Sequence, residues 1–366
     1  MKKSALSIGV IGCGNISGIY CRRIKEFPVL SLAACADLDR AKAEARANEF
    51  NIPTVLSPDE LLLNPSIDII LNLTTPQAHY TIARRALEAG KHVYNEKPLC
   101  VELHEAKTLL KLARKHRRLI ACAPDTFLGA GLQTCRKLID DGVIGTPVAA
   151  TAFMMCHGHE SWHPNPEFYY QHGGGPMLDM GPYYLTALVS LLGPVARVCG
   201  SASISFPTRT ITSQPKAGTL ITVETPTHIQ AVLEFASGAC ATIITSFDVW
   251  GARLPFIEIY GSLGTLSCPD PNTFGGPVKL YVPGKYDWAE VPLIHGYAEN
   301  YRGLGLADLA SAIRDKRPAR ANGDLALHVL EVMHAAINAG RLGKYIKIKS
   351  SCARPAPLSL NQNHSL

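Results

Sequence analysis

The chain has 366 residues, more than one ordinary core accommodates, and its 47% hydrophobic and 18% charged residues are the balance of a soluble globular protein of two domains. The net charge of +6 is spread along the chain. Its one dense basic run, Arg114-Lys115-His116-Arg117-Arg118, closes a predicted helix, where cations complement the dipole, which argues against a nucleic-acid surface. Eleven cysteines without a Cys-x-x-Cys pair argue for reduced thiols in a cytoplasmic protein rather than a disulfide framework or a zinc site. The first strand starts almost at once after Met1-Lys2-Lys3-Ser4, so no signal peptide is expected. No apolar run reaches the 18 or so residues of a membrane span, so no membrane partner is expected either.

In chain order, Ala5 to Ile11 reads as a short buried strand. Gly12-Cys13-Gly14-Asn15-Ile16-Ser17 follows as a turn, and Ile16, Ile19, Tyr20, Ile24 and Phe27 recur at helical spacing. Strand, glycine turn and helix in that order form the context that binds a dinucleotide. Gly12 allows the tight turn, and Gly14 lets the backbone approach a pyrophosphate held on free N–H groups at the helix start, near Asn15 and Ile16. A second strand, Val29 to Ala36, ends in Asp37, 23 residues beyond Gly14 and near the spacing of an acid that bonds an adenosine ribose. Asp37 predicts NAD rather than NADP, because a carboxylate there repels a 2′-phosphate. Arg40 offsets part of that repulsion unless it lies against the adenine.

The run from Arg40 to Phe50 reads as a helix stopped by Pro53, and Ser57-Pro58-Asp59-Glu60 has the pattern of a capping box. Ile67 to Leu73 is a strand, Pro76 to Gly90 a helix, Lys91 to Tyr94 a strand, Glu102 to Arg118 a helix, and Leu119 to Ala123 a sixth strand. This predicts a doubly wound parallel sheet with ligands beyond the carboxyl ends of its strands. Thr74-Thr75-Pro76, Asn95-Glu96-Lys97-Pro98 and Pro124-Asp125 should therefore face the cofactor. The proline after Lys97 keeps that lysine out of the helical region, at the strand end over the nicotinamide. A lysine partly buried there exchanges protons near neutral pH. His79 either approaches the same edge or is a helix residue satisfied by nearby backbone.

Beyond Gly145 the pattern turns to strands: Val148 to Cys156, Ala196 to Phe206, Gly218 to Glu224, Thr227 to Phe235, Ala239 to Phe247, Pro255 to Tyr260, Leu263 to Cys268 and Val278 to Val282. Ser237-Gly238 marks a hairpin. This predicts a large open, mainly antiparallel sheet with helices on one face. Ile229, Val232, Ile243 and Ile244 exceed what one layer of helices covers, so a homodimer or homotetramer through the outer face is expected. Helices return at Leu304 to Lys316 and Asp324 to Ala339. The expected division is 1–123 for an NAD-binding Rossmann domain, 124–348 for a substrate-binding and oligomerisation α+β domain, and 349–366 for a loose tail. In the glycine run from Gly173 to Leu185, Asp179 and Tyr183 lie four apart, on one face of a helix. His157, His159, Trp162 and His163 cluster upstream in spacings that match no zinc pattern. They read as polar substrate contacts, with Trp162 as a platform for a sugar ring.

These residues give the chain a resemblance to the glucose-fructose oxidoreductase, inositol dehydrogenase and rhizopine-catabolism (Gfo/Idh/MocA) family. The matching stretches are Gly12-Cys13-Gly14-Asn15-Ile16, Thr75-Pro76 with His79, Glu96-Lys97-Pro98, and the run from Gly173 to Tyr183. The resemblance implies a nicotinamide cofactor and a neutral sugar, glycoside or cyclitol oxidised at a secondary hydroxyl. It also implies that Lys97 transfers the proton and that Asp179 assists at the substrate. The substrate is expected in the cleft between the domains, with Asp125, His157, His159, Trp162, His163, Asp179 and Tyr183 as its contacts. Many members carry histidine at the position of Tyr183. Many also have asparagine and then Arg-Phe where this chain has Asp125-Thr126-Phe127-Leu128, which argues against a carboxylated or phosphorylated substrate. Two other activities fit the same residues: a glycosidase that retains NAD and oxidises its sugar transiently, and a dinucleotide sensor without catalysis.

Overall fold

The computed structural model describes residues 5–284 and 287–359. Residues 1–4, and residues 360–366 of the expected tail, lie outside them. The first compact unit comprises the residues up to Gly129, His295–Leu327 and the described residues from Pro355. It is built on six parallel strands: β1 (Leu6–Ile11), β2 (Leu30–Ala36), β3 (Thr54–Val55), β4 (Ile69–Asn72), β5 (His92–Asn95) and β6 (Ile120–Cys122). Their order is β3-β2-β1-β4-β5-β6, which places the switch of direction beside β1, where dinucleotides bind. Between them run α1 (Ser17–Ile24), α2 (Arg40–Phe50), α3 (Pro58–Leu63), α4 (Pro76–Glu88) and α5 (Leu103–His116). The expected capping box is formed, with the Ser57 hydroxyl accepting from Glu60 N–H and the Glu60 carboxylate accepting from Ser57 N–H.

The expected boundary at 123/124 differs from this division, because the chain returns to the first unit more than 170 residues later. Ala321 carbonyl accepts from Cys122 N–H at 2.9 Å, and Asn322 bridges Ala121. Asp125 accepts from the N–H groups of Gly303 (2.8 Å) and Gly305 (3.0 Å), at the start of the helix Leu304–Asp315.

The second unit spans Ala130–Ile294 and His328–Arg354. Its strands are β7 (Pro147–Met155), β8 (Val195–Ser203), β9 (Thr208–Thr210), β10 (Leu220–Thr222), β11 (His228–Phe235), β12 (Cys240–Ser246), β13 (Ile257–Gly261), β14 (Thr265–Cys268), β15 (Val278–Tyr281), β16 (Ala289–Val291) and β17 (Ile346–Lys347). Nine form one sheet in the order β16-β15-β14-β13-β7-β12-β11-β8-β17, antiparallel except for the β7–β12 pair. β9 and β10 make a separate ribbon. The alternation of burial along β11 and the first six residues of β12 puts Ile229, Ala231, Leu233 and Ile243 on the covered face. Of the four apolar residues expected to exceed the cover of one helix layer, Ile229 and Ile243 are covered and Val232 and Ile244 lie on the other face, because the side-chain period of a strand is two.

The expected loose tail is a correction over its described part. Residues 351–359 form no helix or strand, yet Cys352, Pro355 and Leu358 are buried, and Arg354 bonds the Ser190 carbonyl and Asp140. All eleven cysteines are free thiols. Among the described residues no helix is long and apolar enough to cross a membrane.

Candidate active site

The cofactor end of the first unit is shaped by the turn after β1. Gly12 has φ +100°, and a Cβ there would stand 2.6 Å from the carbonyl carbon and oxygen of Leu73. Only glycine satisfies both conditions. A Cβ on Gly14 would meet nothing within 4 Å, so this face of the turn is open to an approaching group. Ser17, at the third position of the glycine pattern, is fully buried and donates its hydroxyl to the Gly14 carbonyl at 2.7 Å. No side chain caps α1, which leaves the helix start available to a phosphate group. Asp37 is fixed from both sides. One carboxylate oxygen accepts from Cys13 N–H (2.7 Å) and the other from Asp39 N–H (2.9 Å). Arg40 is exposed and pairs with Glu44 one helical turn on (2.8 Å). These residues fit a dinucleotide with free ribose hydroxyls.

Lys97 is the second residue after β5, and its peptide bond to Pro98 is cis. Three fully or mostly buried groups hold its segment. Glu96 accepts from Lys97 N–H with one oxygen (2.8 Å) and from the Tyr20 hydroxyl with the other (2.7 Å). His79, completely buried, places Nδ1 2.6 Å from the Pro98 carbonyl and Nε2 3.1 Å from the Thr74 carbonyl. Burial lowers its pKa, against the opposing pull of the two carbonyls. Below this clamp Asn72 donates to Asn95 Oδ1 (3.0 Å) and accepts from the Thr74 hydroxyl (2.7 Å). His79 and Glu96, expected to touch the cofactor, are thus engaged in holding Lys97 and the Thr74-Thr75-Pro76 turn.

Asp125, expected at the substrate, is a correction. It is 1% exposed and its Oδ2 accepts the two glycine N–H bonds described above. It belongs to the inner wall of the first unit, where a Cβ on Gly305 would crowd the Asp125 Cβ at 2.8 Å.

In the second unit the glycine run ends in a short helical turn, Pro176–Asp179, followed by the buried helix Gly181–Leu192. The break at Met180 means that Asp179 and Tyr183 do not share one continuous helix, contrary to expectation. Pro182, at the start of the second segment, cannot donate to the first. Asp179 Oδ2 lies 3.2 Å from His159 Nε2, and Tyr183 is buried. The His159 ring packs edge-on against Trp162 (5.2 Å between centroids) and Tyr169 (4.1 Å). Trp162 is 60% exposed and also borders His163. Burial lowers the pKa of His163, whose Nδ1 accepts from Asn165 N–H. His159, Trp162, His163 and Asp179 are therefore one cluster. His157 stands apart, stacked on Trp250 with centroids 3.4 Å apart.

Sequence reasoning missed a buried ionic group behind this cluster. Arg209 donates to Glu160 (2.8 Å) and to the Phe247 carbonyl (2.8 Å) and bonds Asp248, while Tyr170 donates to Glu160. These partners lie tens of residues apart, and no local spacing announces them. Among the described residues no group of three or more His, Cys, Asp or Glu is placed to hold a metal ion.

Comparison with known proteins agrees with this architecture. Residues 6–123 match the oxidoreductase family, NAD-binding Rossmann fold, and residues 132–267 match the GFO/IDH/MocA C-terminal domain. The chain is 29% identical over 202 residues to D-glucoside 3-dehydrogenase of Escherichia coli (strain K12), which covers 53% of this chain and 56% of that protein. It is 33% identical over 201 residues to dTDP-3,4-didehydro-2,6-dideoxy-alpha-D-glucose 3-reductase of Streptomyces violaceoruber, covering 54% and 57%. The matched segments thus span little more than half the length of these two relatives. An NAD-binding oxidoreductase from Klebsiella pneumoniae superposes with a TM-score of 0.82 at 24% identity, over 95% of this chain and all of that one. The chain belongs to the Gfo/Idh/MocA oxidoreductase family, and its N-terminal domain is an NAD-binding Rossmann domain.

Proposed function

We propose that this Gfo/Idh/MocA-family chain is an NAD-dependent dehydrogenase that oxidises a secondary hydroxyl of a neutral sugar or glycoside. The observation that carries the reading is Lys97, held at the end of β5 in an NAD-binding domain by Glu96, Tyr20 and His79. Bound NAD supplies the hydride acceptor. The protein's part is the proton: as the carbinol C–H electron pair leaves with the hydride, the neutral amine of Lys97 takes the hydroxyl proton and the carbon becomes a ketone. Asp179, oriented by His159, accepts hydrogen bonds from neighbouring hydroxyls. Tyr183 is a second donor or relay, and Trp162 offers its exposed face to the ring. The two named relatives act, by name, at the 3-position of glucose-type sugars, which makes the C3 hydroxyl the first to assay.

The test is a panel of sugars, methyl glycosides and inositols with added NAD, followed by reduction of the cofactor. Net cofactor reduction is expected. Glycoside cleavage with no net reduction overturns the dehydrogenase reading. Lys97→Met should lower turnover by roughly 10²–10⁴-fold, the usual contribution of a positioned acid or base, with NAD affinity little changed. Near-normal turnover in that variant would move the proton to another group.

A further inference from the structure

The ionic group behind the histidine cluster is deeply buried. The side chains of Arg209, Glu160 and Asp248 are 5%, 9% and 8% exposed. Removing such charges from water offsets most of their mutual attraction, so a buried group of this kind adds little stability over well-packed apolar side chains. What it does supply is direction, because a planar guanidinium bonds its partners in fixed orientations.

Those bonds end on segments that carry the substrate cluster. Arg209 is the middle residue of β9, in the ribbon outside the nine-stranded sheet. One of its nitrogens donates to Glu160 (2.8 Å), the residue after His159. The other donates to the Phe247 carbonyl (2.8 Å) and bonds Asp248. Two routes lead from there to His159. The Tyr170 hydroxyl donates to Glu160 and lies 3.3 Å from the His159 N–H, which it accepts, so the backbone is held. The Phe247 ring packs on the His159 ring with centroids 4.7 Å apart, so the side chain is held as well. Nε2 of that ring lies 3.2 Å from Asp179. The ribbon and its flanks grip the same loop elsewhere. The Glu160 carbonyl accepts from Thr212 (2.9 Å) and Ser213 (3.0 Å), and Glu224 N–H donates to the Tyr170 carbonyl (2.8 Å). The Ser213 hydroxyl donates to the His163 carbonyl (2.6 Å).

We infer that Arg209 is a positioning residue: through Glu160, Tyr170 and Phe247 it fixes the His159 ring, and with it the Asp179 carboxylate that receives the sugar. The catalytic consequence rests on the proposed sugar dehydrogenase activity. Lysine at this position keeps the charge but is a single flexible point, and it does not hold three partners in one plane.

The experiment compares Arg209→Lys and Tyr170→Phe with the wild type on the best-oxidised sugar of the panel, at saturating NAD. A misplacement of about 1 Å costs about 10²-fold, so kcat/KM should fall by about that factor in Arg209→Lys. It should fall less in Tyr170→Phe, which cuts one of the two routes. The sugar KM should rise and the NAD dissociation constant stay unchanged, whereas a merely structural loss of folded protein lowers kcat at constant KM and overturns the inference. In a His159→Ala background Arg209→Lys should cost little, because the ring it positions is gone; a full, additive loss also overturns it. A second measurement needs no turnover. In protein labelled with 15N-histidine, without sugar or NAD, the His159 ring signals (assigned from His159→Ala) should be displaced in both variants. If Arg209→Lys does not fold, Tyr170→Phe carries the same tests. A wild type that oxidises no sugar defeats the activity reading alone, and the His159 signals then decide the positioning: unchanged signals in the folded variants refute it.

Discussion

At the scale of single residues, the cofactor preference turns on Asp37. Its carboxylate is fixed by two backbone N–H groups, Cys13 in the glycine turn and Asp39 beyond it. A carboxylate held this firmly cannot swing aside for a 2′-phosphate. Arg40, the cation expected to soften the repulsion, is drawn to Glu44. Juxtaposed like charges cost several kcal/mol, so NAD should bind roughly 10²-fold more tightly than NADP. Asp37→Asn keeps the shape and removes the charge, and should narrow that ratio. Dissociation constants of the two cofactors for both proteins check this. Equal or tighter NADP binding by the wild type would overturn the assignment.

At the scale of elements, Asp125 shows how a residue that looks chemical can be architectural. It joins the segment after β6 to the start of the helix Leu304–Asp315 through two N–H bonds. Burial raises its pKa above the usual carboxylate range, and the N–H groups of Gly305 and Gly303 recover only part of that. The folded chain therefore retains a proton that the unfolded chain has released. The stability this confers is fully present below about pH 4 and is lost as pH rises through the folded pKa. Asparagine keeps an oxygen for both N–H groups and has no charge to bury. Asp125→Asn should therefore gain on the wild type as pH rises. Urea midpoints at about pH 5 and about pH 8 measure this, and a variant that loses ground at the higher pH would refute it. The role of Asp125 was not legible in the sequence, because its partners lie some 180 residues away. What was legible is what local periodicity and turn chemistry encode: the glycine turn, α2 to the residue, the capping box and the β11–β12 hairpin. The strands missed are β3, β9, β16 and β17, each only two or three residues long and too short to show a period. Trp250 was missed for a related reason. It stands in an irregular loop, and only stacking on His157, 93 residues earlier, gives it a place.

At the scale of the whole molecule, the open face of the nine-stranded sheet asks for a partner. Cross-strand register aligns Ser201, Gln230, Ile244 and Phe153 in one row, and Cys199, Val232, Thr242, Thr151 and Glu258 in the next. These are the residues that alternate with the covered ones, and they mix apolar Phe153, Ile244 and Val232 with hydroxyls, the Cys199 thiol, the Gln230 amide and the Glu258 carboxylate. Nine strands spaced about 4.8 Å apart make a face roughly 38 Å wide. A band of that width and about 20 Å height supplies the roughly 800 Å² per partner that a stable interface buries. We therefore expect a second copy of the chain on this face, related by a two-fold axis so that Val232 and Ile244 meet their own counterparts or close neighbours. Placing a charge at such a point buries it twice, once in each copy. Val232→Glu should split the dimer and leave the covered face, and so the fold, intact by circular dichroism. Light scattering at micromolar concentration reads both states, and a monomeric wild type would refute the interface.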